Sequence, residues 1–515
     1  MPTRRRARAG ALLGAVLSLP GAALAETPLS AIDWLRNGHA VTLPRTVLME
    51  PPVTDTAARP EIEVSPLEDL RLPLGLVSPQ VTGLPVTLWD TSPVEVLTQE
   101  IARAPVARSA AMRTLLYTLL LTEARAPAHA GAEEALLLAR IDRLMDLGAV
   151  DPAQALAALA GPSRSAALFA RWFDASLLTG DEDVGCAMLK DLPHLAPDQA
   201  AAIFCTARRG DWETAALMLE AAHALEVLPR ERLDLLDRFL SPDVFEDAPP
   251  LPAPGTAPSP LDFRLFEAIG ERLPTTSLPR AFATADLRDV AGWKAQLEAA
   301  ERLTRYGALS ANQFLGLYTE RRPAASGGVW DRVAALQRFE TALGTGSAQA
   351  VAKTLPTVWQ AMRGAGLAVP FAELFADRLA ALPGLDPETA ALAWRIALLS
   401  PGYEAAARRP PDDRADHGFL AALAQGRPDR APPPDPRAET VAEGFRDPAA
   451  LPADLRTDYT QGRLGAVILA LIARFDSGLR GNSGDLVAAL SGLRAVGLED
   501  TARRAALQYL LLERG

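Results

Sequence analysis

A chain of 515 residues with 49% apolar side chains has room for two to four domains and ample material for a buried core. Its formal charge of −11 argues against nucleic acid and anionic headgroups as partners, since both are bound through basic patches. Aromatics are only 6%, too few for a long sugar-stacking cleft, and Lys190, Lys294 and Lys353 are the only lysines, so every other fixed cation is arginine, a bias typical of a GC-rich bacterial genome.

Along the chain, Arg4, Arg5, Arg6 and Arg8 precede an apolar run from Ala11 to Leu19, a Pro20-Gly21 break and the triplet Ala23-Leu24-Ala25. This is the pattern of a secretory signal (1–25) cleaved before Glu26, and it predicts a periplasmic protein. The run falls short of the roughly 20 apolar residues a bilayer needs, so no stable membrane insertion is expected. Cleavage removes four arginines and no acid, which lowers the formal charge of −11 by four, to −15.

Residues 26–92 carry frequent prolines, among them Pro44, Pro51, Pro52, Pro60, Pro66, Pro73, Pro79 and Pro85, around short β-like runs such as Glu61-Ile62-Glu63-Val64 and Val86-Thr87-Leu88-Trp89. Prolines at that spacing suit neither a helix nor a central strand, and predict an extended arm along a helical body. Residues 93–245 read as consecutive short helices. Gly148 ends one, Asp151-Pro152 reads as N-cap and first residue of the next, and Gly180-Asp181 and Gly210-Asp211 repeat the pattern 30 residues apart. That interval fits two helices with their turns, the period of a helical-hairpin solenoid.

Six prolines at 249, 250, 252, 254, 258 and 260 mark a semi-rigid linker over 246–260. The turn pattern resumes in a second helical region, 261–408, at Tyr306-Gly307-Ala308-Leu309-Ser310-Ala311 and Gly384-Leu385-Asp386-Pro387. Residues 409–437, with Pro410-Pro411-Asp412-Asp413 and Pro432-Pro433-Pro434-Asp435-Pro436, predict a flexible loop. A C-terminal helical region, 438–515, holds the apolar core segment Leu464 to Ile472 and a last hairpin, Leu486 to Val496 and Glu499 to Leu512, with the charged exit Glu513-Arg514. The expected fold class is all-α: stacked helical hairpins, α-solenoid-like, with an extended N-terminal arm.

Candidate sites are few. In an exported chain the two cysteines, Cys186 and Cys205, predict one disulfide between neighbouring antiparallel helices. Arg321, Arg322, Ser326, Gly327, Gly328 and Trp330 form the most site-like stretch: two arginines and a pliable loop at a helix start are suited to a carboxylate or phosphate, although glycine pairs also begin ordinary helices. Gly344-Thr345-Gly346-Ser347 lacks the lysine of a phosphate-binding loop. His39, His129, His194, His223 and His417 are scattered without metal-ligand spacing, and no nucleophile elbow is visible, so the expectation is no metal, no cofactor and no catalytic residue.

Two resemblances follow from particular blocks. Gly210-Asp211-Trp212-Glu213-Thr214-Ala215-Ala216 through Ala221-Ala222 resembles the first helix of a tetratricopeptide repeat, which implies stacked helical hairpins. The blocks Glu26 to Leu35, Arg321 to Arg332 and Gly497 to Arg504 resemble an uncharacterised family of exported α-helical proteins of alphaproteobacteria, a likeness that implies no activity and transfers no functional residues. The expected function is a periplasmic helical-repeat scaffold binding a protein or peptide partner. The alternative is a cell-wall or carbohydrate-acting hydrolase or lyase with carboxylates as acid and base.

Overall fold

Glycine turns and side-chain caps cut this chain into helices. The computed structural model describes residues 72–129, 131–288 and 290–512, all within the unit Thr42–Gly515. The predicted signal 1–25 and residues 26–71 of the predicted arm lie outside the described residues, as does Glu513-Arg514. An N-terminal series comprises α1 (Val94–Arg103), α2 (Ala110–Leu121), α3 (Ala132–Leu147), α4 (Val150–Ala160), α5 (Ala166–Thr179), α6 (Glu182–Asp191), α7 (Gln199–Arg208), α8 (Trp212–Leu225), α9 (Arg230–Leu240) and α10 (Pro260–Ala268). A middle series follows: α11 (Trp293–Thr304), α12 (Ala311–Thr319), α13 (Val329–Gly344), α14 (Ala348–Gly364), α15 (Ala368–Ala380) and α16 (Pro387–Ala397). The C-terminal series is α17 (Ala415–Ala424), α18 (Pro436–Gly444), α19 (Leu464–Leu479), α20 (Ser483–Ala495) and α21 (Glu499–Leu512). Among the described residues there is no strand, only isolated bridges at Leu74–Ala124 and Val77–Thr122.

The punctuation works as the sequence predicts at several places. Gly180 and Gly210 adopt φ of 92° and 88°, a region that favours glycine, and the helices between them are α6 and α7. Asp211 then caps α8 by accepting the Thr214 N–H, and Asp386 caps α16 ahead of Pro387. One start is misplaced: α4 begins at Val150, so Asp151 lies inside the first turn and not at the N-cap. There its charge still favours the positive end of the helix.

Each helix buries one face against its neighbours. In α14 the buried set is Val351, Leu355, Val358 and Met362, a helical spacing whose side chains are each worth roughly 1.5–3 kcal/mol on burial. Consecutive helices pair, as in α4 with α5, α7 with α8, α13 with α14 and α19 with α20.

The array also closes on itself. Contacts run from α3 through the turn Arg280–Phe282 and the short helix Ala283–Asp286 to α11, then through α12, α15, α16, the turn Tyr403–Ala407 and α17 to α21. Helix α21 packs on α2, beside α3, and completes the circuit, with the Ala111 N–H donating to Gln508 Oε1 at 2.9 Å. A second seam sets Leu88 and Trp89 against α19: the Gly465 N–H donates to the Leu88 carbonyl at 3.1 Å, and a Cβ at Gly465 would lie 2.3 Å from the Trp89 ring. Glycine permits that approach.

Two expectations are corrected. The stretch 409–437 is not a flexible loop, because α17 occupies its centre and places Phe419, Leu420 and Leu423 in the core; its prolines only flank the helices, and Pro436 is the first residue of α18. Val86-Thr87-Leu88-Trp89 is a turn, not an extended run, with Leu88 and Trp89 buried and Trp89 drawn into the seam with α19. One large core joins residues from 77–266 with residues from 394–507, while a second is built from 283–399. Within 246–260, Arg238 binds the Pro249 carbonyl and Glu271 accepts the Leu251 N–H, which ties the proline segment to the body, and Pro260 already belongs to α10.

Candidate functional site

The glycine loop between α12 and α13 takes the conformation its residues allow, with Gly327 at φ 93° and Gly328 at φ 57°. Its chemistry differs from the expected anion cradle. Ser326 does not cap α13; Asp331 reaches back instead and accepts the Gly327 N–H at 3.0 Å, placing a carboxylate where an anion would sit. Arg321 is paired 2.8 Å from its neighbour Glu320. Arg321 and Arg322 do share a shallow, open concavity of about 380 Å³, but Glu320 and Glu340 line it too. Ser326, Gly327, Gly328 and Trp330 lie outside that lining, and Trp330 packs on Trp293 with ring centroids 5.2 Å apart.

Cys186 on α6 and Cys205 on α7 form a disulfide, with Cα atoms 4.7 Å apart and both residues buried. Such a bond belongs to an oxidising, extracytoplasmic compartment. Among the described residues no helix is long and apolar enough to cross a membrane, and no group of three His, Cys, Asp or Glu side chains is placed to hold a metal.

A more unusual arrangement lies where the circuit of helices meets, and sequence reading missed it. Tyr306, in the turn after α11, carries the guanidinium carbon of Arg280 at 3.3 Å and that of Arg113 at 5.3 Å from its ring centroid. Arg305 precedes it in the chain, and Gly307 lets the Tyr117 ring approach from α2. Arg143 faces Tyr117 and Arg280 from α3.

These arginines are held mainly by main-chain carbonyls. Arg113 donates to Val106 and Ala107 at 3.1 and 2.8 Å, Arg143 to Ala104, Arg280 to Asp146 at 2.6 Å and Arg305 to Ala365 at 2.7 Å. Several of those carbonyls end helices α1, α3 and α14, where the negative end of the dipole suits a cation. The Arg143–Asp146 contact, at 3.5 Å with Asp146 largely exposed, is a weak ion pair. Burial lowers Arg113 to about 10; the two tyrosines oppose that fall, and Arg280 and Arg305 add to it. Burial raises the Tyr117 phenol well above its ordinary value, and its hydroxyl has no hydrogen-bond partner, nor do Arg143 Nε and Arg280 Nε. No sequence signal announces the cluster, because its members come from separate stretches of chain.

One carboxyl also departs strongly from its usual range. Burial pushes Asp174 on α5 up to about 7; Arg171 opposes the rise, and the carboxylates of Asp198 and Asp142 add to it.

Together these features define the class: an all-α array of helical hairpins, disulfide-bonded and closed by contact between its N- and C-terminal helices. Comparison with protein-family models, with curated proteins and with solved structures found no match for the chain.

Proposed function

We propose that the chain acts in the periplasm as a helical scaffold that binds a protein partner through α8. The signal-like N-terminal sequence and the disulfide support the compartment. The observation that carries the binding reading is the outer face of α8. Leu217, Ala221, Ala224 and Leu225 are all exposed at helical spacing, Leu217 by 66% and Leu225 by 72%, while only Ala215, Leu219 and Ala222 of this helix are buried. Isolated exposed leucines are ordinary, whereas two leucines and two alanines aligned on one helix face support a docking role. Glu213, Glu220 and Glu226 lie exposed on the same helix or at its end, so the fitting partner is an apolar helix flanked by basic residues.

The hydrolase reading has less support. Asp174 has the raised carboxyl of a general acid, but the carboxylates near it are engaged: Asp142 accepts both forks of Arg171 at 2.8 and 3.0 Å, and Asp198 holds Arg232 and the Ala201 N–H. A photo-crosslinking residue at Ala221 in intact cells tests the scaffold reading. The expected result is a discrete adduct that is lost with Leu217→Glu and kept with Leu159→Glu, an exposed leucine on α4. An adduct pattern indifferent to Leu217→Glu, or no adduct, overturns it.

A further inference from the structure

We propose that the junction around Tyr306 binds a phosphate group, free or as a monoester, held by Arg113, Arg143, Arg280 and Arg305 with the Tyr117 hydroxyl as an additional donor. This inference is independent of the scaffold reading.

The first argument is charge balance. Acidic residues outnumber basic ones by 63 to 52, and several other half-buried arginines are met by carboxylates: Arg264 by Glu182, Arg232 by Asp198 and Asp262, Arg332 by Glu301. At this junction Arg113 has the two tyrosines as its strongest electrostatic neighbours and Arg280 and Arg305 next, and Arg143 has only the weak contact with Asp146. Arg302 adds a fifth guanidinium nearby, itself bonded to the Thr275 and Leu278 carbonyls. Carbonyls orient a guanidinium, but they leave its full charge uncancelled.

The second argument is the unused donors. The Tyr117 hydroxyl, Arg143 Nε and Arg280 Nε are all buried without a partner, and buried donors are ordinarily satisfied. An anion at the junction supplies what all three lack. Each of the four arginines, like both tyrosines, is half-buried as a whole, while the three unpartnered donor atoms are themselves closed to solvent, where electrostatic interactions are strong.

The third argument is shape and size. The donors arrive from α2, α3, the Arg280 turn and the turn after α11, four separate elements and not one flat fork, with Arg280 and Arg113 both over the Tyr306 ring. A planar carboxylate engages one or two guanidiniums, whereas a tetrahedral phosphate offers acceptors on several sides. The acidic chain repels extended polyanions, which leaves a compact ion as the ligand.

The test uses the full chain with its disulfide intact, titrated calorimetrically and by thermal melting with inorganic phosphate and with glycerol 3-phosphate, against sodium chloride at matched ionic strength. Saturable binding with a raised Tm is expected; tighter binding of glycerol 3-phosphate assigns the group to an ester, and tighter binding of inorganic phosphate to the free ion. Tyr117→Phe, which removes only the unpartnered hydroxyl, should leave the ligand-free Tm unchanged or higher and weaken phosphate binding about tenfold. Arg305→Gln should weaken it as well, and Arg322→Gln should not. A phosphate effect no larger than that of chloride, wild-type affinity in Tyr117→Phe, or loss of binding in Arg322→Gln overturns the proposal.

Discussion

Two arginine-rich regions of this molecule solve the same problem differently. Between α6, α10 and the short helix Ala283–Asp286, cations and carboxylates alternate. Fully buried Glu182 accepts Arg264 at 3.0 and 2.9 Å, Arg264 also binds Glu267, Glu267 holds Arg288 at 2.7 Å, and Arg272 reaches Asp286 at 2.8 Å. Burial works against the Arg264 charge, but Glu182 and Glu267 outweigh it and hold the guanidinium above its ordinary value. Around Tyr306 the guanidiniums rest on helix-end carbonyls, burial prevails and Arg113 falls. The contrast teaches that a partly buried arginine here holds its charge firmly where carboxylates meet it, and that burial weakens the charge where carbonyls do most of the holding, as at fully buried Arg140 too.

The sharpest way to break the comparison is Glu182→Gln. It leaves Arg264 half-buried with one partner fewer and should cost about 3 kcal/mol in denaturant unfolding; a loss below about 1 kcal/mol would show that the matched ladder is not structural. The same region carries the disulfide, and the double variant Cys186→Ala, Cys205→Ala should lose about 3 kcal/mol from the freed loop, read as a lower midpoint without reductant.

Asp174→Asn probes an unmatched charge of the opposite sign. The folded carboxyl titrates near 7 against 3.8 ordinarily, so the folded state holds the proton more tightly and stability falls as pH rises from about 4 to 7. The variant should therefore gain about 2 kcal/mol at pH 8 and almost nothing at pH 4, with equal gains at both pH values refuting the assignment. The smallest effect belongs to Arg113→Gln. With Arg280 and Arg305 as like charges beside it, stability should change by less than about 1 kcal/mol, and by less still in high salt; a loss as large as that of Glu182→Gln would erase the difference between the two regions.

Local chemistry was legible in the chain. Gly180, Gly210, Asp211 and the Asp386-Pro387 pair mark helix ends because their backbone preferences and caps act within a few residues, and two cysteines in an exported chain leave one pairing. The same local logic misled where proline density hid α17, whose apolar face is supported by packing against α21 from the far end of the chain. The Arg321–Trp330 stretch looked like a site because its residues are adjacent, but folding pairs Arg321 with Glu320, brings Glu340 to the same concavity and turns Asp331 onto the Gly327 N–H.

By itself, then, the sequence determined an all-α array of helices, the punctuation of most of them and the disulfide, all consequences of backbone preference and periodicity. Only the tertiary structure decided that α21 returns to α2, that 283–399 builds its own core, and that Arg113 and Arg280 come together over Tyr306, with Arg305 before it and Arg143 facing Arg280. The reason is physical: closure and charge matching depend on contacts between residues up to 397 positions apart, such as Ala111 with Gln508, and no local preference encodes them.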